Sequence, residues 1–518
     1  MCLRNRGKST PTGITASVTA IASNTATVTM TASTTAVAGT YYFKLTEGLA
    51  VSTVKTIAIA APTVSLGTQT GKLLAGTSGS VTFTITTTNI SDGTTGSINW
   101  YTSTAGTTTT STPTGITISL TPISGNAATV TINANTTAIA GSYYFELTEG
   151  PVTSTMAMLT ISIPVVAVSA GYSTTMILKA DGSLWGTGNN YSGQLGNGVS
   201  GTGTNVPTPI EIITSGVASV STSNGHTMIL KKDGSLWATG YNGSGELGNG
   251  TTTNVSTPVE IFTSGVIAVS SGGDGTGGYT MILKSDGSLW ATGENASGQL
   301  GIGNYTNVST PVRVFSSGVQ SVSAGGEHTM ILKTDGSLWA TGYNGFGALG
   351  TGDTNTVCSP VEILTSGVVA VAASRHIQQG FTMILKTDGS LWATGYNFDG
   401  ELGNGMSGSA ALYVSTPVKI FNSGVASIST GSHQAMIIKA DGSLWATGTN
   451  DSGQFGNGTY ISVSSFEEII NSGITATSEG PTYTMFIKQD GTLWTAGYDN
   501  SGGMGTNTMG NILSEVMP

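Results

Sequence analysis

Charge is scarce in this chain. Lysine, arginine, aspartate and glutamate together make up 8% of its 518 residues, against about a quarter in ordinary globular proteins. Water must therefore be met mainly by Ser, Thr, Asn and Gly. The 17 basic residues are outnumbered by 27 acidic ones, for a net charge of −10. That balance excludes a general nucleic-acid binder, because phosphate contacts need a basic patch. Two cysteines, Cys2 at the terminus and Cys358 in what reads as a loop, offer neither a disulfide framework nor a thiolate metal site. No apolar run reaches the ~18 residues of a membrane span. The basic opening Met1 to Lys8 leads into Thr-Pro-Thr-Gly rather than an apolar stretch, so no signal peptide is visible. Strong helix patterns, phosphate-cradling glycine loops and nucleophile elbows are missing as well, and neither an enzyme nor a cofactor is expected.

What the chain has is repetition. The stretch Thr329 to Gly350, T-M-I-L-K-T-D-G-S-L-W-A-T-G-Y-N-G-F-G-A-L-G, recurs seven times, its tryptophan falling at Trp185, Trp237, Trp290, Trp339, Trp392, Trp445 and Trp494. A period near fifty marks a radial or stacked array. Each unit offers four strand candidates, for example Val266–Ser270, Thr280–Lys284, Ser288–Thr292 and Val312–Phe315, called a to d below. Asp286-Gly287 between b and c is a strong hairpin signal, since a type I′ turn needs positive φ at both central residues. Seven such units predict a seven-bladed β-propeller over 165–518.

Upstream the period changes. Pro11 to Pro62 matches Pro113 to Pro164 without a gap, including A-G-T-Y-Y-F-K-L-T-E-G against A-G-S-Y-Y-F-E-L-T-E-G. The unit is about 100 residues, and only half of the first copy is present, so either the natural protein is expected to begin upstream or its start is misassigned. Short alternating runs rich in Val, Ile, Thr and Tyr between turn residues predict a β-sandwich. Trp100 in S-I-N-W-Y and the A-G-S-Y-Y-F run resemble the core tryptophan strand and tyrosine-bearing strand of immunoglobulin-like domains, without their cysteine pair. The expected organisation is all-β: a partial immunoglobulin-like module over 1–60, a complete immunoglobulin-like β-sandwich over 61–164, and the propeller.

The motif G-x-N-x-x-G-x-L-G-x-G, as at Gly342 to Gly352, follows H-T-M-I-L-K-T-D-G-S-L-W at His328 to Trp339. Together they resemble the regulator of chromosome condensation repeat, over about 350 residues and seven copies. The resemblance implies a propeller that binds proteins through one face. Members include an exchange factor for the Ran GTPase, a plant ultraviolet-B photoreceptor and an inhibitor of β-lactamases, which share no reaction.

Residues identical in every blade are expected to build the ring. These are the strand c Trp, the strand b Met from Met176 to Met485, the Lys ending strand b and the Asn of the G-x-N motif, replaced by Asp499 in the last blade. The Lys is expected at a solvated hairpin edge, close to the turn Asp. Two histidines, His226 and His328, sit just before strand b, and His376 and His433 lie in loops. They read as scattered, and no metal site is expected.

Function is expected where the repeat breaks. In a four-stranded meander the a–b and c–d loops emerge on one face, and that face carries the insertions Gly272–Gly278, Ser374–Gly380 and Met406–Ala411. Tyr191, Phe346, Phe398, Asp399 and Asp451 stand there in place of Gly, Ala or Ser, and exposed aromatics amid small residues suit a binding hot spot. The expected function is a non-enzymatic, monomeric, secreted or surface-displayed bacterial scaffold that binds a protein on this face. A carbohydrate-binding propeller and, by family analogy, a guanine-nucleotide exchange factor are the alternatives. The last blade is expected to borrow a strand, from Met158–Ile163, or to remain three-stranded.

Overall fold

The computed structural model describes residues 2–4 and 11–516, apart from residues 24, 34–35, 48–49, 107, 224, 274–276 and 507–509. The chain divides into two units, Met1–Ile163 and Pro164–Pro518. Among the described residues the only helical element is the 3-10 turn Ser409–Ala411.

In the second unit one four-stranded pattern is built seven times. Blade 3 shows how. Strands a (Val266–Gly272), b (Tyr279–Lys284), c (Leu289–Gly293) and d (Val308–Phe315) pair antiparallel in that order. At the b–c turn, Asp286 Oδ1 accepts hydrogen bonds from the Ser288 amide (2.9 Å) and hydroxyl (2.6 Å). Gly287 there takes a φ of 77°, which only glycine adopts freely, whereas Asp286 does not take a positive φ, so the turn is not the expected type I′. Strand b is apolar without alternation because both of its faces are covered. Met281 and Leu283 pack toward Ile331 and Trp339 of blade 4, while Ile282 packs against Met228 and Leu230 of blade 2. Strand d is four residues longer than the sequence suggests and contains Pro311. It is the outer edge of the sheet, where a missing N–H costs no ladder bond. Cys358, expected in a loop, lies in the matching strand of blade 4, Val357–Leu364, as a free thiol. The side chain of Cys2 is outside the described residues.

Hydroxyls tie each blade to the next. The strand c threonine donates to a loop carbonyl of the preceding blade, as Thr239 does to Gly193 (2.9 Å) and Thr292 to Gly245 (2.8 Å). Around the axis, Ser169, Ser221, Ser270 and Ser323 each accept the amide of the following strand a, for example Ser271 N to Ser221 Oγ at 2.9 Å.

The ring closes on itself. Val165, Ile177 and Trp185 of blade 1 share a core with Tyr483, Met485 and Ile487 of blade 7, and the Ala170 amide donates to Ser478 Oγ (2.9 Å). Blade 7 neither borrows a strand nor stays three-stranded. Its fourth strand, Gly510–Glu515, pairs with Leu493–Gly497, whereas Ala157–Ser162 belongs to the first unit and pairs there with Gly141–Glu149 and Leu73–Leu74.

The invariant tryptophans are half-buried between blades. Each indole N–H donates to the hydroxyl two residues before it, as Trp339 does to Ser337 (3.1 Å). The strand b lysine lies over the ring, with Lys333 Nζ 4.3 Å from the Trp339 ring centre. The Lys lies close to the turn Asp, as expected, near enough that Lys333 adds to the Ser337 hydrogen bonds in lowering the Asp335 pKa, but it is half-buried over the ring rather than at a solvated edge. The ammonium is drawn over the indole face, the Asp is spent on its own turn, and among the described residues no ion pair joins the two.

In the first unit, one sheet runs Ile116–Leu120, Ala127–Ala134, Gly79–Thr88, Thr63–Leu66. A second contains Ser97–Tyr101, Gly141–Glu149 and Ala157–Ser162. Val81, Phe83, Val130 and Ile132 of the first sheet meet Trp100, Phe145, Leu147 and Leu159 of the second in one core. Trp100 is thus a core residue. Before this sandwich, Ile14–Val18 pairs with Val28–Ala32, and Gly39–Lys44 with Lys55–Ile59.

Candidate functional site

The a–b and c–d loops hold their shape through buried amides. Asn242 is fully buried. Its Oδ1 accepts the Leu247 amide (3.0 Å), and its Nδ2 donates to the carbonyls of Thr251 (3.0 Å) and Thr253 (3.1 Å). One side chain therefore spans the whole c–d loop, and the same bonds recur around the ring. Asp499, which lacks the donor, instead accepts amides from Ser501 (3.1 Å) and Gly503. Four residues after the Asn, a second side chain caps the turn: Gln194, Glu246, Gln299, Glu401 and Gln454 each accept an amide two residues upstream. On such fixed loops, the residues that depart from the repeat are presented in defined positions.

Three of the five candidates come together on blades 4 to 6. Phe346, half-buried, packs edge-on against Tyr396 (ring centres 5.2 Å apart) and Tyr413 (6.1 Å). Tyr396 stacks with Phe398 at 6.5 Å, and Phe398 and Tyr413 are each 44% exposed. Beside them, Asp399 Oδ2 and Glu401 Oε1 approach His433 Nδ1 at 3.6 and 3.2 Å. The rings of His433 and His376 lie 4.4 Å apart. The two loop histidines are therefore not scattered, as their spacing suggested. The Ser374–Gly380 insertion lets blade 5 present His376 to blade 6. From the same insertion, the Arg375 guanidinium donates to the Ala170 carbonyl of blade 1. Burial lowers its pKa, and Glu479 opposes that shift.

The other two candidates lie apart. Asp451 is exposed and accepts the Ser462 hydroxyl (2.9 Å) in its own loop. Tyr191, 61% exposed, lines a cleft of about 380 Å³ on blades 1 to 3 with Tyr172, Tyr241, Gln194, His226 and Glu246. His226 lies at the start of strand b, not before it, and is buried. Its Nδ1 meets Ser223 Oγ at 2.9 Å and its Nε2 meets Thr280 Oγ1 of blade 3 at 3.0 Å. Burial, aided by Arg375, lowers its pKa to about 3, so it is neutral. His328 is its counterpart in blade 4, with Nε2 3.1 Å from Thr382 Oγ1 and a pKa lowered by burial to about 4. Glu246 is fully buried. Its Oε2 accepts the Ser244 amide (2.8 Å), while Oε1 has no hydrogen-bond partner among the described residues. Burial raises its pKa to about 7, and the nearby Glu294 adds to the rise.

Glu401, Tyr396, Tyr413 and Glu246 escape a reading of single positions. Tyr396 matches Tyr241 and Tyr343 in the repeat, Tyr413 follows an insertion, and Glu at 246 and 401 stands where Gln is common. The available signal is Glu401 with Asp399 just before it and His433 in the next blade.

A family model of the RCC1-like domain matches residues 124–420, more than half of the chain. The chain belongs to the RCC1-like domain family. Among curated RCC1-like relatives, the human E3 ubiquitin-protein ligase HERC2 is 31% identical over 159 residues, covering 29% of this chain and 3% of the ligase. Human protein RCC2 is 35% identical over 94 residues, 18% of each chain. This chain thus spans about a fifth of the length of RCC2 and far less of HERC2. Among solved structures, Prp20p from Saccharomyces cerevisiae has a TM-score of 0.57 at 18% identity, covering 69% of this chain and 88% of its own. Human WBSCR16 has a TM-score of 0.55 at 21% identity, covering 66% and 90%. These two likenesses confirm the RCC1-type propeller fold.

Proposed function

We propose that this RCC1-like chain is a non-enzymatic scaffold that binds a protein on the face formed by the a–b and c–d loops. The observation that carries the reading is the ring cluster Tyr413, Phe346, Tyr396 and Phe398, beside Asp399. A rigid aromatic group, partly exposed and rimmed by charge, is the composition of an interface anchor. Prp20p has binding properties toward Gsp1p and histones, and has been solved bound to Kap60. Those partners belong to Prp20p, but they fit the idea of a propeller that works by docking. We further propose that the protein is monomeric and displayed outside a bacterial cell, with immunoglobulin-like sandwiches as spacers. The Tyr143 hydroxyl donating to the Ile139 carbonyl (2.8 Å) supports that kinship, since a tyrosine bonded a few residues upstream marks many such domains.

The test is a hydrogen-exchange footprint of the propeller in complex with a partner isolated on it. Slowed exchange at residues 344–348, 396–400 and 411–414 is expected, with the Asp-Gly turns of the opposite face unchanged. Protection confined to the opposite face would overturn the reading. The carbohydrate alternative rests on the tyrosine-lined cleft around Glu246, and retention of a glycan at that cleft on a glycan array would favour it. Accelerated nucleotide release from a GTPase would favour exchange activity.

A further inference from the structure

Blades 5 and 6 break the repeat repeatedly in one place. Asp399 stands where five other blades carry Ser192, Ser244, Ser297, Ser452 and Ser501, and blade 4 carries Phe346. His433 stands where the rest have Ser173, Gly225, Gly278, Glu327, Gly380 and Thr482. Glu401 takes a position that is Gln194, Gln299 and Gln454 in three blades and Glu246 in blade 2, so the departure at this position lies in its meeting with Asp399 and His433. In a repeat protein the other blades show what the fold requires, and none of these changes is required. They nevertheless meet. The donor atoms of Asp399, Glu401 and His433 all lie within 4.8 Å of one another.

Hydrogen bonding accounts for only part of the group: His433 Nδ1 is within hydrogen-bond distance of Glu401, which leaves Asp399 without a share in it. His433 Nδ1 is 3.2 Å from Glu401 Oε1 and 3.6 Å from Asp399 Oδ2, and one ring nitrogen can direct one N–H at only one oxygen. A cation serves all three atoms. Bonds of about 2.1 Å to a tetrahedral ion place ligand atoms roughly 3.4 Å apart, which is the scale of both separations. The carboxylate is also held ready: Glu401 is fully buried, and its other oxygen accepts the Asp399 amide at 2.9 Å. Such outer bonds are what fix a metal ligand in place. His376 packs its ring against that of His433 and brings a second imidazole to the rim.

We propose that Asp399, Glu401 and His433 bind one divalent transition-metal ion of the zinc class, which clamps the c–d loop of blade 5 to the a–b loop of blade 6. One imidazole with two carboxylates suits zinc or its neighbours, whereas calcium would take six to eight oxygens. The site stands independently of what docks on this face.

The test is calorimetric titration of the chelator-treated, dialysed full chain with zinc chloride. The chain binds one equivalent and its Tm rises with zinc. Replacing the three residues by those of other blades, D399S/E401Q/H433S, abolishes that uptake. E401Q alone weakens it at least about ten-fold. Glutamine at 401 can still cap the loop, as Gln299 does, so the zinc-free Tm of this variant stays at the wild-type value and a loss of affinity reports on the ligand. No uptake by the wild-type chain, or uptake that survives the triple substitution, overturns the proposal.

Discussion

Glu246 is a buried acid at the base of an open cleft, and it makes stability depend on pH in an unusual direction. Folded, it keeps its proton to about pH 7, against 4.5 for an ordinary glutamate. Unfolding therefore releases a proton between those values, and stability falls as pH rises through that window. Glu246→Gln, the residue blades 1, 3 and 6 carry, should raise Tm at pH 8 and leave it unchanged at pH 4, as thermal melts across that range would read. The buried histidines act in the opposite sense. His226 and His328 stay neutral to about pH 3 and 4, against 6.5 when unfolded. Their contribution is complete above pH 6.5 and is lost as pH falls through the folded values. His226→Gln and His328→Gln together, copying Gln434 of blade 6, should flatten the acid limb of the same melts. None of this was legible in the sequence, where a histidine opening strand b looks the same whether it faces water or, as here, a threonine of the next blade.

At the scale of the element, each blade is one sheet with one amide-braced loop. Removing the brace by Asn242→Ala strands the Leu247 amide and the Thr251 and Thr253 carbonyls that the side chain now serves. The cost should be roughly 2–4 kcal/mol, measured by denaturant unfolding. The hydroxyl ties between inner strands give a prediction of opposite sign. Blade 5 has Ala372 where Ser169, Ser221, Ser270 and Ser323 accept the amide of the next blade. Ala372→Ser should supply an acceptor for Thr430 and stabilise by about 1 kcal/mol. Blade number and the b–c hairpins were legible because the Asp-Gly unit repeats seven times, and the loop-bracing Asn because it repeats six times before Asp499 replaces it. The last strand was not. Gly510–Glu515 carries neither the proline nor the Val-x-Ile/Val run that strand d shows in blades 2 to 5, and only its pairing with Leu493–Gly497 reveals it.

Over the whole molecule, what repeats makes the ring and what departs from the repeat gathers on one face. Closure depends on the shared core of blades 1 and 7 and on the last strand of blade 7. Deleting residues 510–518 would leave Leu493–Gly497 as an open edge. That truncation should lower Tm and produce aggregates detectable by light scattering. The face itself was legible from topology, and so were Phe346, Phe398 and Asp399. Their neighbours Tyr396, Tyr413 and Glu401 were not, because contacts between loops of adjacent blades leave no mark in the spacing of either. The most direct test of the docking account is to return the cluster to the repeat with Phe346→Ser, Phe398→Gly and Asp399→Ser, and to measure partner affinity by surface plasmon resonance. The account predicts a variant that keeps the fold, modestly less stable for the lost packing of Phe346 on Tyr396 and Tyr413, and affinity at least about ten-fold weaker, the loss of one good anchor. Undiminished affinity in a folded triple variant would contradict it.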